Sequence, residues 1–176
     1  MIDFETINKD KNLFACESLP AVTVYDDNLF VRNDYDVLSL GQRNYLIQFF
    51  THLGFKQTSG RQLTKSDITI HLPRPNSNLA VSSFQEDFLH FDNKNFYCLT
   101  PTMLAEAMFH FSLFQRDFDL EANLHGLINK CPFNIEWLRD ISYRSVIEEI
   151  TADMYDSLSA YQAEVIEHKF KMKKAL

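Results

Sequence analysis

A glutamate followed four residues later by a histidine recurs along the predicted helices of this chain. Residues four apart share one face of a helix, so each pair can offer a carboxylate oxygen and an imidazole nitrogen to one cation. Metal sites in helical bundles use a three-residue spacing instead, so a plain ion pair, which would raise the pKa of its histidine, is the simpler interpretation. The pairs are Glu106/His110, Glu121/His125 and Glu164/His168.

The first two pairs define an alternative function, a metal-dependent or acid–base enzyme. They lie on two consecutive predicted helices, and an aspartate between them adds a further oxygen ligand. Carboxylates and imidazoles bind divalent metals and also exchange protons near neutral pH. The residues of this candidate metal site are Glu106, His110, Asp117, Glu121 and His125.

Two further histidines fall on neighbouring predicted strands, His71 in ITIHLPR and His90 in FLHFDNK. The two-histidine phosphoesterases also place paired histidines on adjacent strands, with a threonine or serine two residues after each histidine. Here Pro73 and Asp92 occupy those positions. We therefore interpret both histidines as structural, either at the sheet surface or hydrogen-bonded in the core.

Other catalytic and cofactor motifs are missing from the sequence. It contains no G-x-S-x-G, no phosphate-binding glycine loop, no dinucleotide fingerprint, no H-E-x-x-H and no EF-hand loop. Only four glycines are present, which leaves few positions for a backbone cradle around phosphate. The sequence therefore favours a protein that is not an enzyme, and it predicts no cofactor.

Charge is unevenly distributed along the chain, whose net charge is −7. Residues 1–167 carry 13 basic and 24 acidic side chains, whereas residues 168–176 carry four lysines and no acidic residue. An acidic body repels nucleic-acid phosphates and attracts a basic protein, so we expect a basic protein partner. A second alternative is a dimeric nucleic-acid-associated regulator that touches phosphate through the basic C-terminal tail.

Cysteine usage and hydropathy indicate a cytoplasmic protein. Cys16, Cys98 and Cys131 are odd in number and widely separated, and no C-x-x-C pair is present. The N-terminal stretch MIDFETINKDKN alternates charged with apolar residues and lacks the apolar core of a signal peptide. No apolar run is long enough to span a bilayer, so we expect no membrane association.

The element expected to position the first Glu/His pair is a helix over Thr100–Asp119. Thr100 can cap its free amides, and Pro101 suits its first turn. Apolar residues occupy two sides of this helix, with Phe109 and Phe111 on opposite faces, so we expect both rings to be buried. The one charged stripe consists of Glu106, His110 and Asp117.

The middle of the chain predicts a small antiparallel β-meander, because short β-favouring runs follow one another with brief links. After the first two of these runs, Ser39 and Gln42 form a capping-box pattern that opens a helix ending at Gly54. A length of 176 residues suits one core, so we expect a single α+β domain, sheet-rich over 20–99 and helical over 100–176. The predicted strands are Ala21–Tyr25, Leu29–Asn33, Phe55–Thr58, Ile68–Leu72, Leu79–Phe84, Asp87–Phe91 and Phe96–Leu99.

The last predicted helix runs from Ser142 to Lys173, a length of about 48 Å. One side of it carries a heptad seam, and one hypothesis is that its projecting end pairs with a partner helix, most simply a second copy. The other hypothesis is that the helix packs along its own domain. The candidate partner-binding residues of the seam are Leu158, Tyr161, Val165 and His168.

Together these patterns predict an α+β fold in which the meander packs on the central Phe-rich helix. A C-terminal helical layer that ends in the long helix completes the expected architecture. The expected function is that of a small, acidic, cytoplasmic protein that binds another protein without catalysing a reaction. Inhibitors, immunity proteins and secretion chaperones play roles of this kind.

Overall fold

The structure is a computed structural model that describes residues 2–25, 38–73, 84–136, 138 and 146–170, without the side chains of Val146 and Ile147. Within these ranges, helices pack on both faces of one six-stranded sheet, which confirms the predicted α+β class. The predicted strand Leu29–Asn33, most of Leu79–Phe84 and the two ends of the last predicted helix lie outside the described residues.

The sheet is mixed, with the strand order β1-β2-β6-β5-β4-β3. The last strand, β6, lies between β2 and β5 and runs parallel to both, while the other pairs are antiparallel. The strands are β1 (Leu13–Ala15), β2 (Ala21–Val24), β3 (Lys56–Ser59), β4 (Gln62–Lys65), β5 (Ile68–His71) and β6 (Asn95–Cys98). The predicted antiparallel meander therefore applies to β3-β4-β5 but is wrong for the sheet as a whole.

The central position of β6 follows from the burial of its side chains. Phe96 and Cys98 are both almost fully buried, so this strand needs cover that an edge position does not give. The expected partner of β6, Asp87–Phe91, is not a strand; a single turn of 3₁₀ helix, Glu86–Leu89, stands there. The adjacent residues Phe88 and Leu89 both point into the core, which one helical turn allows and an alternating strand does not.

Side chains alternate across the sheet and so separate two cores. Ile70 of β5 pairs with Phe96 of β6. Both side chains lie in the core that is covered by α1 (Phe4–Lys9) and α2 (Leu40–His52). The next pair, His71 and Tyr97, faces the opposite side of the sheet.

The start of α2 confirms the predicted capping box. Ser39 Oγ accepts a hydrogen bond from the Gln42 amide at 3.1 Å, and Gln42 Oε1 accepts one from the Ser39 amide at 2.7 Å. After the helix, Gly54 adopts a φ of 89°, a left-handed conformation that glycine takes without steric cost. These two positions explain why the limits of α2 were predictable.

The predicted central helix is α3 (Pro101–Phe114), and Thr100 caps it by accepting a 3.2 Å hydrogen bond from the Met103 amide. Every residue from Pro101 to Phe109 is buried, so this part of the helix is covered on all sides. Phe109 is 0% exposed, as predicted, but Phe111 is only half-buried. The helix leaves the core at its end, where Phe114 is 72% exposed.

Two longer helices among the described residues also belong to the layer on the α3 side of the sheet. They are α4 (Leu120–Lys130) and α5 (Val146–Val165), and a π-helical turn, Ile166–Phe170, continues α5. The Lys130 ammonium group at the end of α4 donates hydrogen bonds to the backbone oxygens of Asn8, Asp10 and Leu13. These hydrogen bonds connect the helical layer to the segment between α1 and β1.

Candidate functional site

The solvent-facing side of α5 carries a row of acidic residues that we call the acidic ridge: Glu149, Asp153, Asp156 and Glu164. All four are exposed, and at about 100° per residue they fall within an arc of roughly 80°. The helix sequence contains no lysine, arginine or histidine that would neutralise them within the helix. The ridge is therefore a row of carboxylates about four helical turns long, with the uncharged Ala160 between Asp156 and Glu164.

The inner face of α5 explains why the helix adopts this orientation. Thr151 and Leu158 are fully buried and Val165 is nearly so, at the spacing of a single helical stripe. Leu158 and Val165 belong to the core that also contains Phe109 and Leu127. Burial of this stripe leaves the acidic residues no direction except toward solvent.

Polar contacts fix the C-terminal part of α5. The Tyr161 ring stacks on His125 with a centroid distance of 3.9 Å, and its hydroxyl accepts a hydrogen bond from the Asn129 amide. The Gln162 side chain binds the Phe133 backbone twice, accepting from its amide at 3.0 Å and donating to its carbonyl at 2.8 Å. The acidic ridge thus stands on a helix that does not need to be ordered when a partner binds.

These contacts do not fit the hypothesis that the seam of the last helix pairs with a partner helix. Leu158 and Val165 lie in the core of their own chain, and Tyr161 is occupied by His125 and Asn129. His168 is exposed, and its Nδ1 donates to the Glu164 carbonyl at 2.8 Å. A second copy could reach Leu158 or Val165 only after α5 had left its own domain, because close packing leaves no access to either side chain.

The described part of the last helix also does not project from the domain. Its end, Phe170, is buried and packs against Tyr25 of the sheet layer. Lys169 donates a 2.6 Å hydrogen bond to Asn129 Oδ1, which lies on α4. The helix therefore packs along its own domain as far as Phe170, which was the other hypothesis from the sequence.

The Glu/His pairs of the alternative metal site stay separate in the structure. In each of Glu106/His110 and Glu121/His125 the carboxylate oxygen lies 4.0 Å from the imidazole Nε2, the outer limit of an ion pair. Asp117 is exposed in the turn after α3, so it does not continue the stripe of that helix. Within the described ranges, no group of three or more His, Cys, Asp or Glu side chains could hold a metal ion.

The pKa of His110 moves in the direction opposite to that expected. Its ring stacks on Phe84 with a centroid distance of 3.7 Å, and burial lowers the pKa of the imidazole. A carboxylate oxygen of Glu106 at 4.0 Å is too distant to reverse the effect of lost hydration. Burial of His110 therefore favours its neutral form.

The three cysteine thiols are all buried. Burial is the main cause that raises the pKa of Cys16, Cys98 and Cys131. Because the thiolate is the nucleophile, none of these side chains is poised for covalent chemistry at neutral pH.

A pocket that the sequence reasoning missed opens on the α3 side of the sheet, between β5, β6 and the 3₁₀ turn Glu86–Leu89. His71 and Tyr97 lie on its floor, whereas His90 is exposed beyond the 3₁₀ turn and does not line it. The alternation in ITIH and NFYC was the available signal, because it puts His71 and Tyr97 on one face. The chain segments that surround them are distant in sequence and gave no such signal.

Comparison of the chain with protein-family models, with curated proteins and with solved structures finds no match. Among the described helices, none combines the length and the apolar character needed to cross a bilayer.

Proposed function

We propose that this chain is a cytoplasmic, non-enzymatic binding protein whose acidic ridge docks a basic surface of a protein partner. The observation that carries the proposal is the row of exposed carboxylates on α5, a helix with no basic residue of its own. The net charge of −7 adds a long-range attraction for the same kind of partner. Inhibitors, immunity proteins and chaperones all need a surface that binds another protein, and the acidic ridge is suited to such a role.

The energetics of the ridge support a binding role. Glu149 and Asp153 are four residues apart, and Asp153 and Asp156 are three apart, so like charges face each other on the helix. Each such pair destabilises a helix by about 0.2–0.5 kcal/mol. A basic partner would relieve this repulsion, whereas in the free protein it only reduces stability.

The ridge also favours protein over nucleic acid as the partner. Phosphate groups would meet the same repulsion that the carboxylates exert on one another. Arginine and lysine side chains of a protein would instead form charge-assisted hydrogen bonds with the ridge. The fixed inner face of α5 keeps the cost of ordering the ridge low, which supports fast, steered association.

The proposal is tested by affinity capture from the native host with two variants of equal charge. The ridge variant carries Glu149→Gln, Asp153→Asn, Asp156→Asn and Glu164→Gln, which remove the four charges without shortening the side chains. The control variant removes four exposed carboxylates elsewhere, by Glu17→Gln, Asp67→Asn, Glu121→Gln and Glu136→Gln.

We expect the wild type and the control variant to retain a basic protein that the ridge variant loses, as measured by quantitative mass spectrometry. Because both variants have the same net charge, the comparison separates the ridge from the overall charge of the protein. Equal capture by all three proteins, or an acidic captured protein, would refute the proposal.

A further inference from the structure

The pocket on the α3 side of the sheet has a volume of about 680 Å³. Small-molecule sites typically occupy about 300–1,000 Å³, so the pocket has the size of a site for a small organic ligand. Its floor is the polar face of β4, β5 and β6, and its walls are the 3₁₀ turn Glu86–Leu89 and the first turn of α3. It lies on different elements from the acidic ridge of α5.

The charged side chains among the described lining residues of the pocket differ in sign from the net charge of the protein. Among the described residues that line it, Arg61 is the only lysine or arginine, and no aspartate or glutamate is present. Exposed side chains of Arg61 and Gln85 and the half-buried Gln62 add hydrogen-bond donors around the opening. In a chain of net charge −7, Arg61 thus offers a negative group a cation at the opening, away from the floor, where the charges of Asp87 and Asp92 act on Tyr97.

The imidazole of His71 is held by a chain of hydrogen bonds that begins at an ionised carboxylate. Backbone amides of Asn95 and Lys94 donate to Asp92 and lower its pKa to about 2. Asn95 Nδ2 also donates to Asp92 at 2.6 Å, which leaves Asn95 Oδ1 to accept from His71 Nε2 at 2.7 Å. The position of the His71 ring is therefore fixed by this hydrogen bond.

Tyr97 completes the floor of the pocket as a neutral phenol. Its ring stacks on His71, with centroids 5.0 Å apart and planes 20° apart. Burial, together with the charges of Asp87 and Asp92, raises the pKa of its hydroxyl. The phenol thus keeps its proton and can donate it in a hydrogen bond to an anionic group.

The wall of the pocket next to Tyr97 is apolar. Phe88, Leu99 and Met103 line it and are buried, and the Phe88 ring lies 5.2 Å from that of Tyr97. Aromatic and thioether side chains of this kind pack against flat apolar groups. One end of the pocket is therefore suited to an apolar body and the other to an anionic head group.

We propose that this pocket binds a small organic anion with a flat apolar body and a carboxylate or phosphate head group, which Arg61 engages. The apolar body lies over the stacked rings of His71 and Tyr97 and reaches the edges of Phe88 and Met103. Binding here is independent of the acidic ridge, so failure of one proposal leaves the other standing.

The test uses the full-length protein and four naphthalene probes of nearly equal size: 2-naphthoate, 2-naphthyl phosphate, neutral 2-naphthylmethanol and cationic 2-naphthylmethylamine. Isothermal titration and ligand-observed NMR measure their affinities. We expect the two anions to bind more tightly than the neutral probe by about tenfold or more, because a charge-assisted hydrogen bond contributes that much. We expect the cation to bind most weakly, and the difference between the two anions identifies the preferred head group.

Two exposed variants locate the binding at the pocket. Arg61→Gln should lower the affinity for the two anions by about tenfold and leave the affinity for the neutral probe unchanged. Gln85→Glu places a carboxylate at the opening, so it should lower the affinity for the anions without lowering that for the other probes. The matched controls, Arg116→Gln after α3 and Gln48→Glu on the opposite side of the sheet, should leave all four affinities unchanged.

Three outcomes would overturn the proposal. These are no binding of either anion at millimolar concentration, equal binding of anion and cation, and an unchanged anion affinity in Arg61→Gln. Because Arg61 and Gln85 are exposed, both variants should fold, and their melting temperatures confirm that the comparison is valid.

Discussion

The ring of Phe170 packs against the ring of Tyr25, with their centroids 4.9 Å apart. This contact fastens the end of the C-terminal helix to the sheet layer. Because Phe170 is buried, Phe170→Ala should lower the free energy of unfolding by about 3 kcal/mol, the lower end of the range for a buried phenylalanine. Urea unfolding measures this, with the exposed His168→Ala as the control; equal stability of the two variants would mean that the helix end is not docked.

Because α3 begins in the core and ends at the surface, two substitutions on this helix should differ in how much they reduce the free energy of unfolding. Phe109→Ala should destabilise the protein by about 3–5 kcal/mol, because the side chain is fully buried. Phe114→Ala, five residues further along the same helix, should stay within about 0.5 kcal/mol of the wild type, because its side chain is 72% exposed. Urea unfolding of the two variants side by side decides this, and a small cost at Phe109 would place α3 on the surface.

Much of the local structure was predictable from the sequence because its causes are local. The cap at Thr100, the capping box of Ser39 with Gln42 and the stop at Gly54 each depend on residues within a few positions. The same holds for β5, whose alternating ITIH stretch matches the observed strand. In these places side-chain chemistry alone fixes the backbone.

The order of the sheet was not predictable, because it depends on residues far apart in the chain. The insertion of β6 between β2 and β5 brings Tyr97 beside both Ala21 and His71. Strand β4, Gln62–Lys65, has one fully buried residue, Leu63, and was too polar to be recognised. The acidic ridge could have been found from the absence of basic residues in α5, but the pocket needed the sheet order.

The buried seam of α5 reverses an expectation about Leu158. If the seam faced a partner helix, Leu158→Glu would give a folded monomer. Because Leu158 is 0% exposed within its own chain, the same substitution should instead abolish cooperative unfolding or greatly reduce stability, since it buries an unpaired charge. Circular dichroism with thermal unfolding tests this; a stable, folded Leu158→Glu protein would contradict the position of α5 described above.

Burial of His110 predicts that the protein loses stability in mild acid. Burial lowers the pKa of this histidine from its usual 6.5, so between the two values the unfolded chain binds a proton that the folded chain does not. The stability that the neutral His110 side chain contributes is fully present above about pH 6.5. It is lost as the pH falls through the pKa that His110 has in the folded protein.

Urea unfolding at pH 7.5 and pH 5.5 measures the effect of His110. We expect the wild type to lose more stability between these pH values than His110→Gln, which has no titrating group at this position. The exposed His90→Gln serves as the control and should behave as the wild type. An identical loss in the wild type and in His110→Gln would show that the ring is as well hydrated in the folded state as in the unfolded chain.

The most direct test of the proposed function is the salt dependence of partner association. The partner captured by the wild type is purified, and its association rate is measured by stopped-flow fluorescence at several salt concentrations. The rate should fall by about tenfold or more between about 50 mM and about 500 mM salt, because salt screens the attraction between the ridge and a basic surface. The control variant should keep this slope, and the ridge variant should associate slowly with little salt dependence. Two results would contradict the assignment of binding to the acidic ridge. One is a wild-type association rate that does not change with salt concentration, and the other is a ridge variant whose rate depends on salt as steeply as that of the wild type.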